Sequence, residues 1–202
     1  ERTWLNRWTQ ADAQAFDAKR WRDDLGRPDL RLQDRELITL GFDGSRWKDT
    51  TALVATSLET GWQTVLGFWV PTEDTPVDPA EVVAVWDEAF ARYRVARMYG
   101  DTAPGWDEQL AQAAGRYGHK TVLFFYTDSR NLRRTAQMCK VYASAMRAGE
   151  VTHDGDEWFA RHVGAAQKRD VRMVDEDGTP LWVMEKERHD SPNKIDLAMA
   201  GA

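Results

Sequence analysis

A chain of 202 residues, 42% of them hydrophobic, is long enough for one domain with a real core plus appendages, and its single cysteine, Cys139, excludes an intrachain disulfide or a cysteine-built zinc cluster and fits a reducing cytoplasm. The formal charge of -6 argues against a general polyanion binder, although a catalytic carboxylate cluster would itself add negative charge and attract cations, so DNA is not excluded. No apolar run approaches the roughly 18 residues that span a bilayer, and the N-terminus lacks the basic-then-apolar order of a signal peptide, so a soluble, unexported chain is expected.

Residues 1–34 carry Trp4, Trp8 and Trp21 among many charges and read as an amphipathic arm; Glu1 rather than Met opens them, and they resemble the middle of a longer protein. From Leu37 onwards Ile38, Leu40 and Phe42 alternate with Thr39, Gly41 and Asp43, the period of a strand whose C-terminal end is Asp43. A polar turn over 44–51 leads to β-rich runs at Ala52–Ser57 and Thr64–Val70, which predicts an antiparallel meander of three strands. Val82, Val85, Ala89 and Tyr93 then recur at helical spacing, with Trp86 and Phe90 widening the stripe. Ala96–Tyr99 is a short strand ending at Gly100-Asp101, followed by a helix from about Pro104 to Tyr117, a buried strand Thr121–Tyr126 and a helix from about Arg130 to Ala148. A helix near Asp156–Gln167, a hairpin over Arg172–Met184 turning at Asp177-Gly178, and a last helix from Pro192 complete the chain. The order β-β-β-α-β-α-β-α resembles the ribonuclease H-like topology: a mixed five-stranded α/β sheet, three antiparallel strands followed by parallel ones, over residues 35–202. Trp69, Trp86 and Trp182 fall in strand or helix patterns and are expected in the core.

In such sheets ligands gather at the carboxyl ends of the strands. Asp43 and Asp101 each end a strand, and in this topology those strands are central neighbours. Phosphodiester hydrolysis needs an activated water and charge stabilisation on both reacting oxygens, which two divalent ions about 3.5–4 Å apart supply. Magnesium or manganese requires oxygen ligands, so convergent Asp residues suit it better than His or Cys. The competing reading is that a strand-end Asp merely initiates a turn. Asp196 is the third candidate. Ser191 as N-cap and Pro192 at the first position are expected to start its helix, with Ile195, Ala198 and Met199 as the buried stripe and Asp196 beside it, too deep for a dipole role. A solvated surface acid is the alternative.

Gly41-Phe42-Asp43-Gly44-Ser45 with Asp49-Thr50-Thr51-Ala52-Leu53 resembles the first motif of phage terminase large-subunit nuclease domains. Tyr99-Gly100-Asp101 resembles the second, and Lys194-Ile195-Asp196-Leu197-Ala198-Met199-Ala200 the third. Between them, Met146–Gly155 resembles a family segment in which a helix ends at Gly and a turn leads to a His. The resemblance runs from about Leu37 to the C-terminus. It implies a two-metal endonuclease that cuts concatemeric double-stranded viral DNA during packaging, with Asp43, Asp101 and Asp196 holding two Mg²⁺ or Mn²⁺ ions. It also implies an ATPase domain, a portal ring and a small terminase subunit as partners, no membrane, and the host cell cytoplasm as the place of action. This chain has no Gly-x-x-x-x-Gly-Lys-Ser/Thr, so residues 1–34 would be the tail of the connection to a motor that this sequence lacks.

Further candidates have ordinary readings beside functional ones. His153 suits a proton shuttle or a solvated loop His. Asp49 suits a water-mediated metal contact or a hairpin-turn acid. Asp128 suits a fourth acid or an N-cap, and His189 and Asp190 suit the border of the site or a cap and turn. On the helix from Arg130, the stripe Leu132, Ala136, Cys139, Ala143 and Met146 is expected to face the core. Arg133, Lys140 and Arg147 repeat every seven residues on another face; with Arg161, Lys168 and Arg169 they suit either DNA phosphates or solvent. A resolvase- or transposase-type nuclease and a catalytically silent docking module are the other two readings of the whole chain.

Overall fold

The computed structural model describes residues 13–101, 105–127, 131–188 and 191–202. Trp4, Trp8, Asp128, His189 and Asp190 lie outside the described residues. Helix α1 (Ala18–Asp24) is followed by strands β1 (Leu37–Asp43), β2 (Thr51–Ser57) and β3 (Trp62–Trp69). Then come α2 (Pro79–Arg92), β4 (Arg94–Asp101), α3 (Asp107–Tyr117), β5 (Val122–Phe125) and α4 (Leu132–Ala148). Strand β6 (Thr152–His153), α5 (Glu157–Ala165), the pair β7 (Gln167–Val174) and β8 (Pro180–Glu185), and α6 (Asp196–Gly201) finish the chain.

The main sheet has the order β5-β4-β1-β2-β3-β6, with the meander β1-β2-β3 antiparallel and β4, β5 and β6 each parallel to its neighbour. It has six strands rather than the five expected, because Thr152 and His153 pair with Trp62 and Gln63, and two residues are too few to show a period. β7 and β8 form a separate antiparallel pair that turns at Gly178 with φ 80°, and β7 begins five residues before the expected start.

Alternation along β1 sorts its side chains into two layers. Ile38, Leu40 and Phe42 join Val82, Trp86 and Ala89 of α2 and Leu110 and Ala114 of α3 in one core. On the opposite face Ala52 and Val54 of β2 join Cys139, Tyr142, Ala143 and Met146 of α4, Phe159 of α5, and Leu197 and Ala198 of α6. Each large side chain buried this way contributes about 1.5–3 kcal/mol. β2 is covered on both faces and is the best-buried strand. Where it is described, the N-terminal segment packs on the domain: Ala15, Phe16, Trp21 and Leu25 belong to the second core. Trp86 is fully buried, whereas Trp69 and Trp182 are only partly covered. β5 is a sheet edge with only Val122 buried, not the buried strand its apolar run predicts.

Two glycines fix the layout. Gly149 takes φ 74° at the end of α4, the left-handed cap expected there. Gly41 lies against α6, and a Cβ there would meet the Ala200 carbonyl oxygen at 1.9 Å, so glycine lets the last helix settle onto β1.

Candidate active site

Phe42 pairs with Gly100 across the parallel β1/β4 ladder, which sets Asp43 and Asp101 side by side at the carboxyl ends of adjacent central strands. Phe42 faces α2 and α3, so the pleat turns Gly41 and Asp43 to the other face, the one against which α6 packs. Asp196 is the first residue of α6, only 6% exposed. This corrects the expected helix start. Ser191 and Pro192 are not in the helix: the Ser191 hydroxyl accepts from the Asn193 N–H at 3.2 Å in a local turn, and the helix begins four residues later. Asp196 is therefore a first-turn acid rather than one deep in a helix.

The three carboxylates feel one another. Burial, then the Asp196 and Asp101 carboxylates, push the Asp43 acid well above the usual carboxylate range, with Lys186 opposing. Burial also raises Asp196, opposed by the hydrogen bond from the Thr50 hydroxyl and by Lys186. Thr127 donates to Asp101 Oδ2 at 2.7 Å. Asp49 differs: burial would raise it, but Lys186 and Lys194, at 2.6 and 2.5 Å from its Oδ1, leave it lowered. The turn carrying Asp49 and Thr50 is tied by Ser45, whose N–H donates to Thr51 Oγ1 and whose hydroxyl accepts from the Asp49 N–H.

All the donors here are carboxylate or hydroxyl oxygens, the chemistry of a hard divalent cation, and their mutual repulsion is what such a cation relieves. The donor set fits Mg²⁺ or Mn²⁺. Among the described residues no three Asp, Glu, His or Cys side chains converge into a ready-made metal cage, so the fit rests on donor chemistry and shared field rather than on preset coordination.

The structure of the large terminase nuclease from thermophilic phage G20c with bound magnesium superposes with a TM-score of 0.61, covering 94% of this chain and 96% of that one at 17% identity. The fold is that of a phage large-terminase nuclease domain. In sequence, the chain is 29% identical to the gene 13 protein of Mycobacterium phage L5 and 30% identical to that of Mycobacterium phage D29, each over 210 aligned residues taking in 98% of this chain. It spans about a third of the length of these curated relatives, 34% and 33%. No protein-family model matches.

Within this terminase-nuclease fold the remaining predicted residues separate. His153 sits on β6, three strand spacings or roughly 14 Å from β1. It is buried and stacked on Trp21 at 4.2 Å, with Nε2 2.8 Å from the Trp21 carbonyl oxygen and Nδ1 accepting from the Gly155 N–H. Burial lowers its pKa despite that carbonyl. It anchors the N-terminal segment and is not brought to the acids. Lys140 bonds Asp175 at 2.7 Å and lies 3.5 Å from Asp177, while Arg133 donates to the Val174 carbonyl at 3.2 Å. Arg147 is exposed. Arg161 lies over the Trp158 ring, Lys168 over Trp182, and Arg169 pairs with Glu185.

Sequence reasoning missed four neighbours of the site. Thr50 and Lys186 touch acids from a turn and from the end of β8, and neither stands in a periodic pattern. His162, on α5, accepts the Leu197 N–H at 3.1 Å through Nδ1 and so holds the first turn of α6; burial, then Lys186 and Lys194, push it down to about 4. Arg134 lies over the Phe125 and Tyr99 rings and, with Asp101 and Thr127, lines a cavity of about 510 Å³ between the sheet and α4.

Proposed function

We propose that this chain is the nuclease part of a phage large terminase, a divalent-metal-dependent endonuclease that cuts double-stranded concatemeric DNA during packaging. The observation that carries the reading is the placement of Asp43 beside Asp101 on adjacent parallel strands, with the buried Asp196 in the same field. The G20c nucleases are described with bound magnesium, cobalt and zinc, which supports divalent-ion use here. Asp43, Asp101 and Asp196 would hold two Mg²⁺ or Mn²⁺ ions. Bound there, such ions supply an activated water and charge stabilisation on the entering and leaving oxygens.

The chain's own residues do the positioning. Thr50 fixes one oxygen of Asp196, Thr127 fixes one of Asp101, and His162 holds the helix that presents Asp196. Neutral at ordinary pH, His162 serves as an acceptor and adds no charge to the acid cluster. The ATPase motor, portal ring and small subunit of such a machine belong to the same reading, as does action in the host cytoplasm. Residues 1–34 would lead in from the motor. Among the described residues no helix is long and apolar enough to cross a membrane.

Incubation with supercoiled plasmid tests the reading. Nicked and linear products should form with Mg²⁺ or Mn²⁺ and stop in excess chelator. Cleavage that persists in chelator overturns the metal mechanism, a preference for branched DNA or strand transfer favours a resolvase or transposase, and no cleavage under any condition favours a silent docking module.

A further inference from the structure

Asp49 differs from the other acids at this end of the sheet because one of its oxygens already takes two ammonium groups, Lys186 at 2.6 Å and Lys194 at 2.5 Å. Two positive charges on one carboxylate leave one in excess. Lys186 is the more enclosed of the pair, 14% exposed against 25%. An ammonium group this far from water is costly unless negative charge surrounds it, and half a share of Asp49 does not suffice. The acid cluster stands alongside, since Thr50, the residue after Asp49, donates to the buried Asp196 carboxylate.

We propose that Lys186 is a tethered counter-cation of the acid cluster, competing with a divalent ion for Asp43 and Asp196 until a DNA phosphate draws it away. The inference rests on the nuclease reading above. Its consequence is that metal and DNA bind cooperatively. A phosphate that pairs with the Lys186 ammonium removes the competitor of the incoming ion, and reciprocity requires the ion to strengthen DNA binding by the same factor. The protein would then load metal mainly where there is DNA to cut. Lys194 touches the same oxygen of Asp49 but is the more exposed of the two, which makes it an internal control.

Calorimetric titration with Mn²⁺ alone tests the competition. K186M should bind Mn²⁺ about tenfold more tightly than the parent. K186R, which keeps the charge, should stay near the parent, and K194M should shift affinity less than K186M. A duplex with a non-hydrolysable backbone should then tighten Mn²⁺ binding in the parent but not in K186M. Unchanged or weaker Mn²⁺ binding by K186M overturns the counter-cation, while loss of binding in D43N would leave the metal site itself standing. Equal tightening by DNA in parent and K186M overturns the phosphate half. Absence of Mn²⁺ binding in parent and K186M alike overturns both this inference and the nuclease reading.

Discussion

Asp43, at the end of β1, and Asp154, just after β6, are both half-buried carboxylates beside the same sheet, and the protein treats them in opposite ways. Asp154 is supplied with donors: the Thr64 hydroxyl at 2.7 Å, the Val65 N–H at 3.1 Å and the Asp156 N–H at 3.0 Å. It ties β3 to the turn leading into α5. Asp43 faces Asp196 and Asp101, and burial together with these like charges makes ionisation unfavourable. A buried acid surrounded by N–H and O–H groups is structural. One surrounded by other acids sits there at a cost to folding, which a bound cation would offset.

Exchanging each carboxylate for a neutral group should break the comparison most sharply. D43N should lower plasmid cleavage by about a hundredfold or more, the scale for losing a group that stabilises the transition state, while stability stays level or rises. D154A should do the reverse. Losing several charge-assisted hydrogen bonds costs about 2 kcal/mol in urea denaturation, with cleavage retained wherever the variant is folded. If D43N unfolds and D154A kills cleavage in a folded protein, the functional acid has been placed at the wrong edge of the sheet.

The sequence made Asp43, Asp101 and Asp196 legible for different reasons. The first two close strands whose alternation is clear, and a parallel neighbour relation follows from the order of elements. Asp196 was legible through its motif, but its helix boundary was not, because Ser191-Pro192 is a strong start signal and the Ser191 hydroxyl even accepts from the Asn193 N–H as a cap would, yet the chain does not become helical until Asp196. Lys186, Thr50 and His162 stayed hidden. Each matters through a contact between residues far apart in the chain, and no local period encodes that. The surroundings of His153 stayed hidden in the same way: a loop His after a Gly cap suits chemistry or solvent, and its stacking partner Trp21 lies 132 residues away.

His162 sharpens the comparison through pH. It is held neutral in the fold with its pKa near 4, against 6.5 for an ordinary His, so the unfolded chain binds more protons and stability falls as pH drops through that window. Asp43 and Asp196 act with the opposite sign, since their raised values let the fold hold the extra protons. H162N keeps an acceptor where Nδ1 bonds the Leu197 N–H but cannot titrate. Between about pH 7.5 and pH 5.5 the parent should lose about 1 kcal/mol relative to H162N. Parallel losses in the two proteins would show that His162 takes up its proton without strain.

The smallest effect is expected on α4, far from the acids in character, where cations rather than carboxylates are gathered. Arg133 is exposed and gives one N–H to the Val174 carbonyl, and Arg147 is exposed, so both can reach a phosphate. Lys140 is different, for Asp175 and Asp177 already surround its ammonium group. Binding to duplex DNA should thus lose a slope of roughly 0.9 in log affinity against log salt for each of R133Q and R147Q, and close to nothing for K140Q. The three residues recur every seven positions and look equivalent in the sequence, so only their partners separate them. An equal loss for all three would mean that Asp175 and Asp177 release Lys140 to DNA. No loss for any would assign this face to solvent or to a protein partner.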